Sequence, residues 1–226
     1  MINNKIYWTL RNNCSKNWEN KFNKLNWTVL HNPIINLQVN SNFNLIGEKI
    51  LNQNNIIISS PFAAENVIKK IKQEKIKCYT VGYHSASILK RNNLKVEFTA
   101  NNSEDLAEYI TANNNNKYLH LCSEKSNSKI WPKNVESFPI YKPILNENFN
   151  ITKNSIKSKS IIVFGSPSGV NEWYTKNIDI KNSVIATMGK TTKNQCALYY
   201  NNTMIIPINS STDELCESIY KFLKDN

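Results

Sequence analysis

Two serines in this sequence stand where hydroxyl groups and free backbone N–H groups are expected to lie together. Ser60 precedes a proline after the apolar run 56–58, and Ser166 precedes a proline after the similar run 161–164. A serine followed by proline at the first helical position is a strong helix-start signal. Because the first N–H groups of a helix have no partner inside it, they favour anions. Each serine therefore predicts a strand–turn–helix unit whose turn can contact an anionic ligand.

Two glycines mark a second pair of such turns. Gly82 follows the predicted strand 78–81 and is followed by Ser85, while Gly189 is followed by Thr191 and Thr192. In open α/β sheets, ligands bind beyond the carboxyl ends of the strands. The serines, glycines and threonines of the four turns all fall at that edge. A ligand with several carboxylates would suit such a row of hydroxyl and N–H groups.

These features form an internal repeat. The matched pairs follow one another at a nearly constant offset: Ser60 with Ser166, Gly82 with Gly189, Ser85 with Thr192, and 103–106 with 212–215. Self-similarity of this kind indicates two copies of one unit. It predicts an α/β protein of two similar domains, each a mostly parallel sheet flanked by helices, joined by a two-stranded extended linker. Unrelated strand–helix units with ordinary caps are the alternative interpretation.

The predicted domains are not consecutive in sequence. The first strand–helix–strand precedes the first repeat and has no room in it, so we assign it to the C-terminal domain. One domain is then expected to comprise residues 1–33 plus 145–226, and the other 39–138, with linkers at 34–38 and 139–144. If the two domains face each other, both rows of hydroxyls line one cleft.

Two local predictions concern the second domain, 39–138. The helix opened by Ser60 is expected to run to about Lys72. Ser103 and the two acidic residues after it are expected to cap the helix 106–111.

The charge balance favours an anionic partner. Lys and Arg number 28 and Asp and Glu 17, a formal net charge of +11. A positive field attracts nucleic acid, acidic lipid or a polyanionic small molecule. No run of basic residues marks a nucleic-acid-binding arm or helix. Distributed charge therefore favours a small polyanion and predicts neither a nucleic-acid nor a membrane partner, although AT-rich codons, which specify lysine, also explain part of the excess.

Cysteine usage and hydropathy indicate the compartment. The five cysteines include no C-x-x-C pair, which predicts free thiols in a reducing compartment. No apolar run approaches the ~20 residues needed to span a bilayer, and the N-terminus lacks the apolar region of a secretory signal. A cytoplasmic protein is the expectation.

Several common chemistries are excluded. The residues from Gly189 to Thr192 resemble the end of a phosphate-binding loop, but Val184 stands where that motif requires glycine. Pro167 occupies the central position that a serine nucleophile needs in G-x-S-x-G. Paired carboxylates and H-E-x-x-H are missing from the sequence, and its three histidines are scattered. Nothing in the sequence indicates metal, nucleotide or covalent catalysis, and no cofactor is predicted.

Six short segments, taken in order, carry a resemblance to a known family. They are IISSPFAA (57–64), VGYHSASIL (81–89), SEDLAEYI (103–110), IYKP (140–143), VFGSPSGV (163–170) and MGKTTKNQCAL (188–198). With this order and spacing the chain resembles uroporphyrinogen-III synthase over most of its length. The resemblance implies two α/β domains with a two-stranded linker and the N-terminal strands in the C-terminal domain. It also implies a monomeric, cofactor-free lyase that cyclises hydroxymethylbilane, a linear polycarboxylate tetrapyrrole, to uroporphyrinogen III.

The resemblance also implies a set of site residues. Family positions carry over to Ser60, Ser85, Tyr141, Ser166 and Thr192. Tyr141 matches the linker tyrosine and is expected to donate a proton or hydrogen bond to the leaving hydroxyl. Thr192 matches the second threonine of the family's G-P-T-T element, in which Lys190 here replaces the proline, and it is expected to donate a hydrogen bond to a substrate carboxylate or to the reacting ring. The family usually carries a full helix after the position of Leu121, whereas the segment 122–132 here is shortened, which implies a missing or truncated helix in that domain.

Two alternatives stay open at this point. The chain would also suit a two-lobed, non-catalytic protein that binds an anion or a sugar phosphate. The second alternative concerns the individual residues: the hydroxyls of Ser60, Ser85, Ser166 and Thr192 are helix caps alone, and Tyr141 is a packing residue of the linker.

Overall fold

The structure is a computed structural model that describes residues 4–71, 75–113, 115–152, 156 and 159–226. The chain divides into two compact units. We call Met1–Asn36 together with Ile144–Asn226 unit 1, and Leu37–Pro143 unit 2. Unit 1 therefore contains both ends of the chain.

Strands and helices alternate along most of the described chain. The strands are β1 (Asn4–Trp8), β2 (Trp27–His31), β3 (Ile35–Val39), β4 (Asn55–Ile58), β5 (Lys77–Val81), β6 (Lys95–Ala100), β7 (Tyr118–Ser123), β8 (Val135–Leu145), β9 (Ser160–Phe164), β10 (Ser183–Thr187) and β11 (Met204–Ile205). The α-helices are α1 (Lys16–Asn23), α2 (Ile46–Leu51), α3 (Pro61–Val67), α4 (Tyr83–Arg91), α5 (Ser103–Ala112), α6 (Pro167–Thr175), α7 (Lys190–Ala197) and α8 (Thr212–Asp225). Short 3₁₀ helices occupy Ser41–Leu45 and Ser128–Ile130.

Each unit is built on one sheet. The sheet of unit 1 has the order β11-β10-β9-β1-β2, and its strand pairs are parallel. The other sheet has the order β3-β8-β7-β4-β5-β6, with parallel pairing from β8 to β6. The predicted fold class is confirmed: two similar α/β units, each with a mostly parallel sheet and helices.

Two extended segments carry the chain between the units. β3 begins in unit 1 and ends in unit 2, and β8 runs in the opposite sense. The two strands are neighbours in the sheet order. At one end the Asn40 N–H donates to the Ile140 carbonyl, and at the other the Asn146 N–H donates to the Ile34 carbonyl. The predicted linker is thus a pair of hydrogen-bonded strands.

Both faces of each sheet are covered by side chains. In β4, Ile56 and Ile58 pack into one core cluster, and Ile57 packs into the cluster on the other face. In β1, Ile6 and Tyr7 point into different clusters in the same way. Strands buried on both faces are typical of parallel sheets, and they explain the unbroken apolar runs in the sequence. A ligand therefore has access to the ends of the strands rather than to the sheet faces.

The helix opened by Ser60 is shorter than predicted. α3 ends at Val67, whereas the sequence predicted an end near Lys72, a residue outside the described part. The Val67 carbonyl accepts hydrogen bonds from both Lys70 and Ile71, and this shared acceptor closes the last turn. Between β7 and β8 the described chain forms the 3₁₀ helix Ser128–Ile130, in the segment where the family resemblance implied a missing or truncated helix.

The predicted cap of α5 is wrong by one residue. Asn102, not Ser103, is the N-cap: its side chain accepts a hydrogen bond from the Asp105 N–H at 2.8 Å. Ser211 caps α8 in the same manner, through the Glu214 N–H. The sequence prediction failed because serine and asparagine are equally good N-caps and stand next to each other here. Which of the two caps the helix depends on where the backbone becomes helical, and this is seen only in the structure.

Asn102→Ala is expected to lower the free energy of unfolding by about 1 kcal/mol, because it leaves a first-turn N–H without its acceptor. Ser103→Ala is the matched control, since Ser103 lies inside the helix. Urea unfolding of both variants measures the difference. Equal losses in the two variants would contradict the assignment of the cap.

The five cysteines are free and buried. Burial raises the pKa of Cys78 and of Cys196 to about 12, and that of Cys122 to about 11. These thiols therefore stay protonated at neutral pH and are poor nucleophiles. In the part of the chain that the structure describes, no helix is both long and apolar enough to cross a membrane.

Candidate functional site

Parallel pairing brings two predicted turns to one sheet edge in each unit. In unit 2, β4 pairs with β5, so Ser60 and Gly82 both follow the carboxyl ends of adjacent strands. In unit 1, β9 pairs with β10, which places Ser166 and Gly189 at the corresponding edge. The described structure thus repeats the same pair of turns, once in each unit.

Ser60 is a helix cap with one hydrogen-bonding capacity left over. Its Oγ accepts from the Ala63 N–H at 3.1 Å and from the Tyr141 hydroxyl at 2.9 Å. A hydroxyl group has two acceptor sites and one hydrogen to donate. Because both acceptor sites are engaged and the side chain is half-buried, the Ser60 hydrogen is the group that can be donated to a ligand.

Tyr141 is more enclosed than the sequence suggested. It is 6% exposed, belongs to the core cluster of unit 2, and its ring lies 4.9 Å from that of Phe62. Its hydroxyl donates to Ser60. The Tyr141 hydroxyl therefore contacts another of the predicted site residues, at the carboxyl end of β4.

Ser166 occupies the same kind of position in unit 1. It caps α6 by accepting from the Gly169 N–H at 3.3 Å, and it is half-buried. A proline follows it at the first helical position, as in unit 2. The two serines are therefore equivalent caps, and the contact with a tyrosine hydroxyl is found at Ser60.

Gly82 and Ser85 form the second turn of unit 2. Gly82 has φ +77°, a backbone conformation that favours glycine, and its N–H donates to the Ala100 carbonyl. It caps α4 without a side-chain hydrogen bond. Ser85 lies in the first turn of that helix, is 1% exposed, and its Oγ has no hydrogen-bond partner among the described residues. A buried hydroxyl without a partner is costly, which makes this one notable.

Gly189, Thr191 and Thr192 form the matching turn of unit 1. Gly189 caps α7, again without a side-chain hydrogen bond. Its backbone is extended, and a Cβ there would lie 2.9 Å from the Ser210 Oγ, so a larger residue would require the Ser210 side chain to shift. Thr191 is exposed, whereas Thr192 is 4% exposed. Thr192 and Ser85 thus occupy equivalent buried positions in the first helical turn.

The helix starts differ in electrostatic character. α5 and α8 carry acidic residues in their first turns, and these negative charges interact favourably with the positive end of the helix dipole. α4 and α7 have no acidic residue there and no side-chain cap. Lys190, exposed at the first position of α7, adds a positive charge. The starts of α4 and α7 are therefore the ones suited to an anionic group.

The sequence analysis missed one pair of polar residues at the edge of unit 2. Ser59, the residue before Ser60, shares a hydrogen bond with His120: the distance from Ser59 Oγ to His120 Nε2 is 2.8 Å. His120 is 1% exposed, its ring lies 4.6 Å from that of Trp131, and its Nδ1 has no partner in the described structure. Burial lowers the pKa of His120 to about 4, so the imidazole is neutral at physiological pH. Its position between two leucines of a buried strand was the available signal.

No cluster of three or more His, Cys, Asp or Glu side chains arranged to hold a metal ion occurs in the described ranges. The polar groups at the two edges are hydroxyls, backbone N–H groups, Lys190 and the imidazoles of His84 and His120. The hydroxyls and the N–H groups at the helix starts suit carboxylates.

Comparison with known proteins assigns this architecture. The chain matches the uroporphyrinogen-III synthase HemD family over residues 16–217. It is similar in structure to the uroporphyrinogen-III synthetase of Helicobacter pylori, with 16% identity, 97% of this chain and 99% of the other covered, and a TM-score of 0.68. A mutant uroporphyrinogen III synthase from Thermus thermophilus is similar at 8% identity, with 99% and 100% covered and a TM-score of 0.63. No curated protein matches the chain significantly in sequence.

Proposed function

The chain belongs to the uroporphyrinogen-III synthase family, and on that premise we propose how its residues carry out the reaction. The activity is that of a cofactor-free, cyclising lyase of tetrapyrrole biosynthesis. It converts hydroxymethylbilane to uroporphyrinogen III with inversion of the last pyrrole ring and loss of water. The family match over residues 16–217 carries this conclusion, and the non-catalytic binding alternative is not favoured.

The reaction asks for positioning and electrostatics. The linear substrate loses hydroxide and a pyrrole N–H proton, together one water, to give a reactive azafulvene, and the ring then closes at a substituted carbon. A protein assists by holding the carboxylates, folding the chain and stabilising the departing hydroxide. Hydroxyl groups, backbone N–H groups and a few cations are sufficient for these tasks, and they are the groups at the two sheet edges.

We propose that Ser60 donates a hydrogen bond to the leaving hydroxyl and that Tyr141 positions Ser60. The Ser60 hydroxyl has its hydrogen available because both of its acceptor sites are engaged. Accepting a hydrogen bond from Tyr141 also makes that hydrogen more acidic, since linked hydrogen bonds polarise one another. This assignment moves the direct contact from Tyr141, where the family resemblance placed it, to Ser60.

The remaining polar residues are assigned to the substrate carboxylates. The N–H groups after Gly82 and Gly189 bind carboxylates at the starts of α4 and α7, supported by the charge of Lys190. The hydroxyls assigned to the same task are those of Ser85, Ser166, Thr191 and Thr192. Thr192 is further assigned to the reacting ring. The support for these roles is the lack of acidic residues at both helix starts and the buried, unpartnered Ser85 hydroxyl.

The domain bounds, the compartment and the oligomeric state belong to the same proposal. We assign the functional domains to 1–33 plus 145–226 and to 39–138. The protein acts as a monomer in the cytoplasm, with no nucleic-acid partner. Free, buried cysteines are typical of a reducing compartment, and every group assigned above comes from a single chain. Light scattering at micromolar concentration tests the monomer, and a dimer mass would contradict it.

The product isomer tests the function itself. Purified protein treated with EDTA should divert hydroxymethylbilane to the type III isomer, which chromatography of the oxidised porphyrins separates from type I. The spontaneous reaction without protein is the control, because it closes the ring without inversion. A product that is entirely type I would overturn the proposed function.

Tyr141→Phe is expected to lower kcat about fivefold with little change in KM, because one neutral hydrogen bond contributes about 1 kcal/mol. Ser60→Ala should cost more, since it removes the donor itself together with a helix cap. The double variant should be no slower than Ser60→Ala alone, because Tyr141 acts through Ser60. Multiplying effects in the double variant would show that Tyr141 contacts the substrate independently.

A further inference from the structure

Two exposed apolar side chains lie at the sheet edges that carry the proposed substrate-binding turns, one in each unit. Ile208 is 94% exposed and Tyr83 is 77% exposed, the highest values among the large hydrophobic side chains in the described part of the chain. Single exposed apolar residues are ordinary on protein surfaces. These two are unusual in their place, because each lies near the start of α4 or α7, the two described α-helices whose starts have neither a side-chain cap nor an acidic residue.

Tyr83 is the first residue of α4. It follows Gly82 directly and precedes the buried, unpartnered Ser85 in the same helical turn. Its ring therefore stands in solvent next to N–H groups suited to a carboxylate. A flat aromatic surface beside an anion site fits a ligand that is itself flat, apolar in the middle and acidic at its rim.

Ile208 reaches the corresponding edge of unit 1 from a loop. β11 pairs in parallel with β10, so the segment after β11 emerges at the same edge as Gly189. The segment packs against that glycine, because a Cβ there would lie 2.9 Å from the Ser210 Oγ. Ile208 lies two residues before Ser210 in this loop, at the sheet edge where α7 starts.

We propose that Tyr83 and Ile208 bind the pyrrole rings of the substrate, each beside a helix start that binds its carboxylates. This inference rests on the proposed function and adds the apolar half of substrate recognition to it. The N–H groups and Lys190 can bind the substrate carboxylates, but they do not shield the apolar faces of the pyrrole rings from water. An exposed phenol ring and an exposed isoleucine supply the surface that those faces can cover.

The test compares serine variants at three exposed positions. Tyr83→Ser and Ile208→Ser should each raise KM for hydroxymethylbilane by about threefold to tenfold, with kcat kept, because a ring contact stabilises substrate and transition state alike. Tyr83→Phe should recover most of the affinity that Tyr83→Ser loses. Leu198→Ser is the matched control: Leu198 is 71% exposed but lies at the far end of α7, about 12 Å from its start.

The outcomes separate this inference from the proposed function. An unchanged KM in both Tyr83→Ser and Ile208→Ser would overturn the inference, and so would an equal rise in Leu198→Ser. If the wild-type protein yields only type I product, the proposed function fails. Anaerobic titration with uroporphyrinogen III then decides the inference separately: weaker binding in the two variants but not in Leu198→Ser supports it, and any other pattern, including absent binding, overturns it.

Discussion

Thr192→Val is expected to lower kcat/KM by about 10- to 150-fold and to leave the melting temperature nearly unchanged. Valine keeps the shape of threonine and removes only the hydroxyl group. A buried hydrogen bond to a charged group contributes roughly 1.5–3 kcal/mol, and the full rate loss follows if the bond is made mainly in the transition state. Thr192 is 4% exposed in the first turn of α7, so a carboxylate held there would be shielded from water.

Ser85→Ala should cost less activity, although the repeat makes the two positions equivalent. The family resemblance puts more weight on Thr192 than on Ser85, as a hydrogen-bond donor to a substrate carboxylate or to the reacting ring. Ser85→Ala also removes a buried hydroxyl that has no partner among the described residues, so stability should hold or rise. Thr111→Val, in an exposed turn of α5 away from both edges, controls for the substitution itself.

Steady-state kinetics with the isomer assay, together with thermal unfolding, measure both quantities. If Thr192→Val melts at a lower temperature but retains full activity, the hydroxyl is structural and the assignment of unit 1 is wrong. If Ser85→Ala loses as much activity as Thr192→Val, the two helix starts contribute alike.

The second large effect concerns the pH dependence of stability. His120 has its pKa lowered by burial to about 4 in the folded protein, against about 6.5 in an unfolded chain. Between pH 4 and pH 6.5, His120 is mostly protonated in the unfolded chain and mostly neutral in the folded chain. The free energy of unfolding therefore falls as the pH drops from 6.5 to 4, by about 3 kcal/mol in total, and this loss stops below pH 4.

The surroundings of His120 explain why its protonation is unfavourable in the folded protein. One ring nitrogen of His120 is bonded to Ser59, and the other, Nδ1, has no partner in the described structure. A charged imidazole would have to donate from both nitrogens. Protonation would therefore bury a charge together with an unsatisfied N–H group beside Trp131.

His120→Gln is the variant that tests this prediction, because its amide can replace the nitrogen that meets Ser59. Wild type should lose about 2–3 kcal/mol more than the variant between pH 7 and pH 4.5, as measured by urea unfolding. Ser59→Ala should keep the wild-type slope, since the buried ring remains. An NMR titration of the His120 ring supplies a direct check, and a midpoint near 6.5 in the folded protein would contradict the account.

The sequence by itself determined the repeat and the helix starts at Ser60 and Ser166. Apolar runs followed by Ser-Pro predicted β4 and β9 and the caps Ser60 and Ser166, because a capping hydroxyl and a proline act within one turn of the chain. Gly82 and Gly189 were placed at the next turns for a similar local reason. Such signals depend on backbone geometry over a few residues, so no distant contact is needed to recognise them.

Only the tertiary structure decided which side chains meet across the sheet. The bond from Tyr141 to Ser60 and the bond between Ser59 and His120 join residues that are far apart in sequence and adjacent only after strand pairing. Burial likewise separated Ser85 and Thr192, which lie inside the first helical turn, from the exposed Thr191. These properties follow from strand order and from packing of both sheet faces, which are sums over many distant contacts that no local pattern encodes.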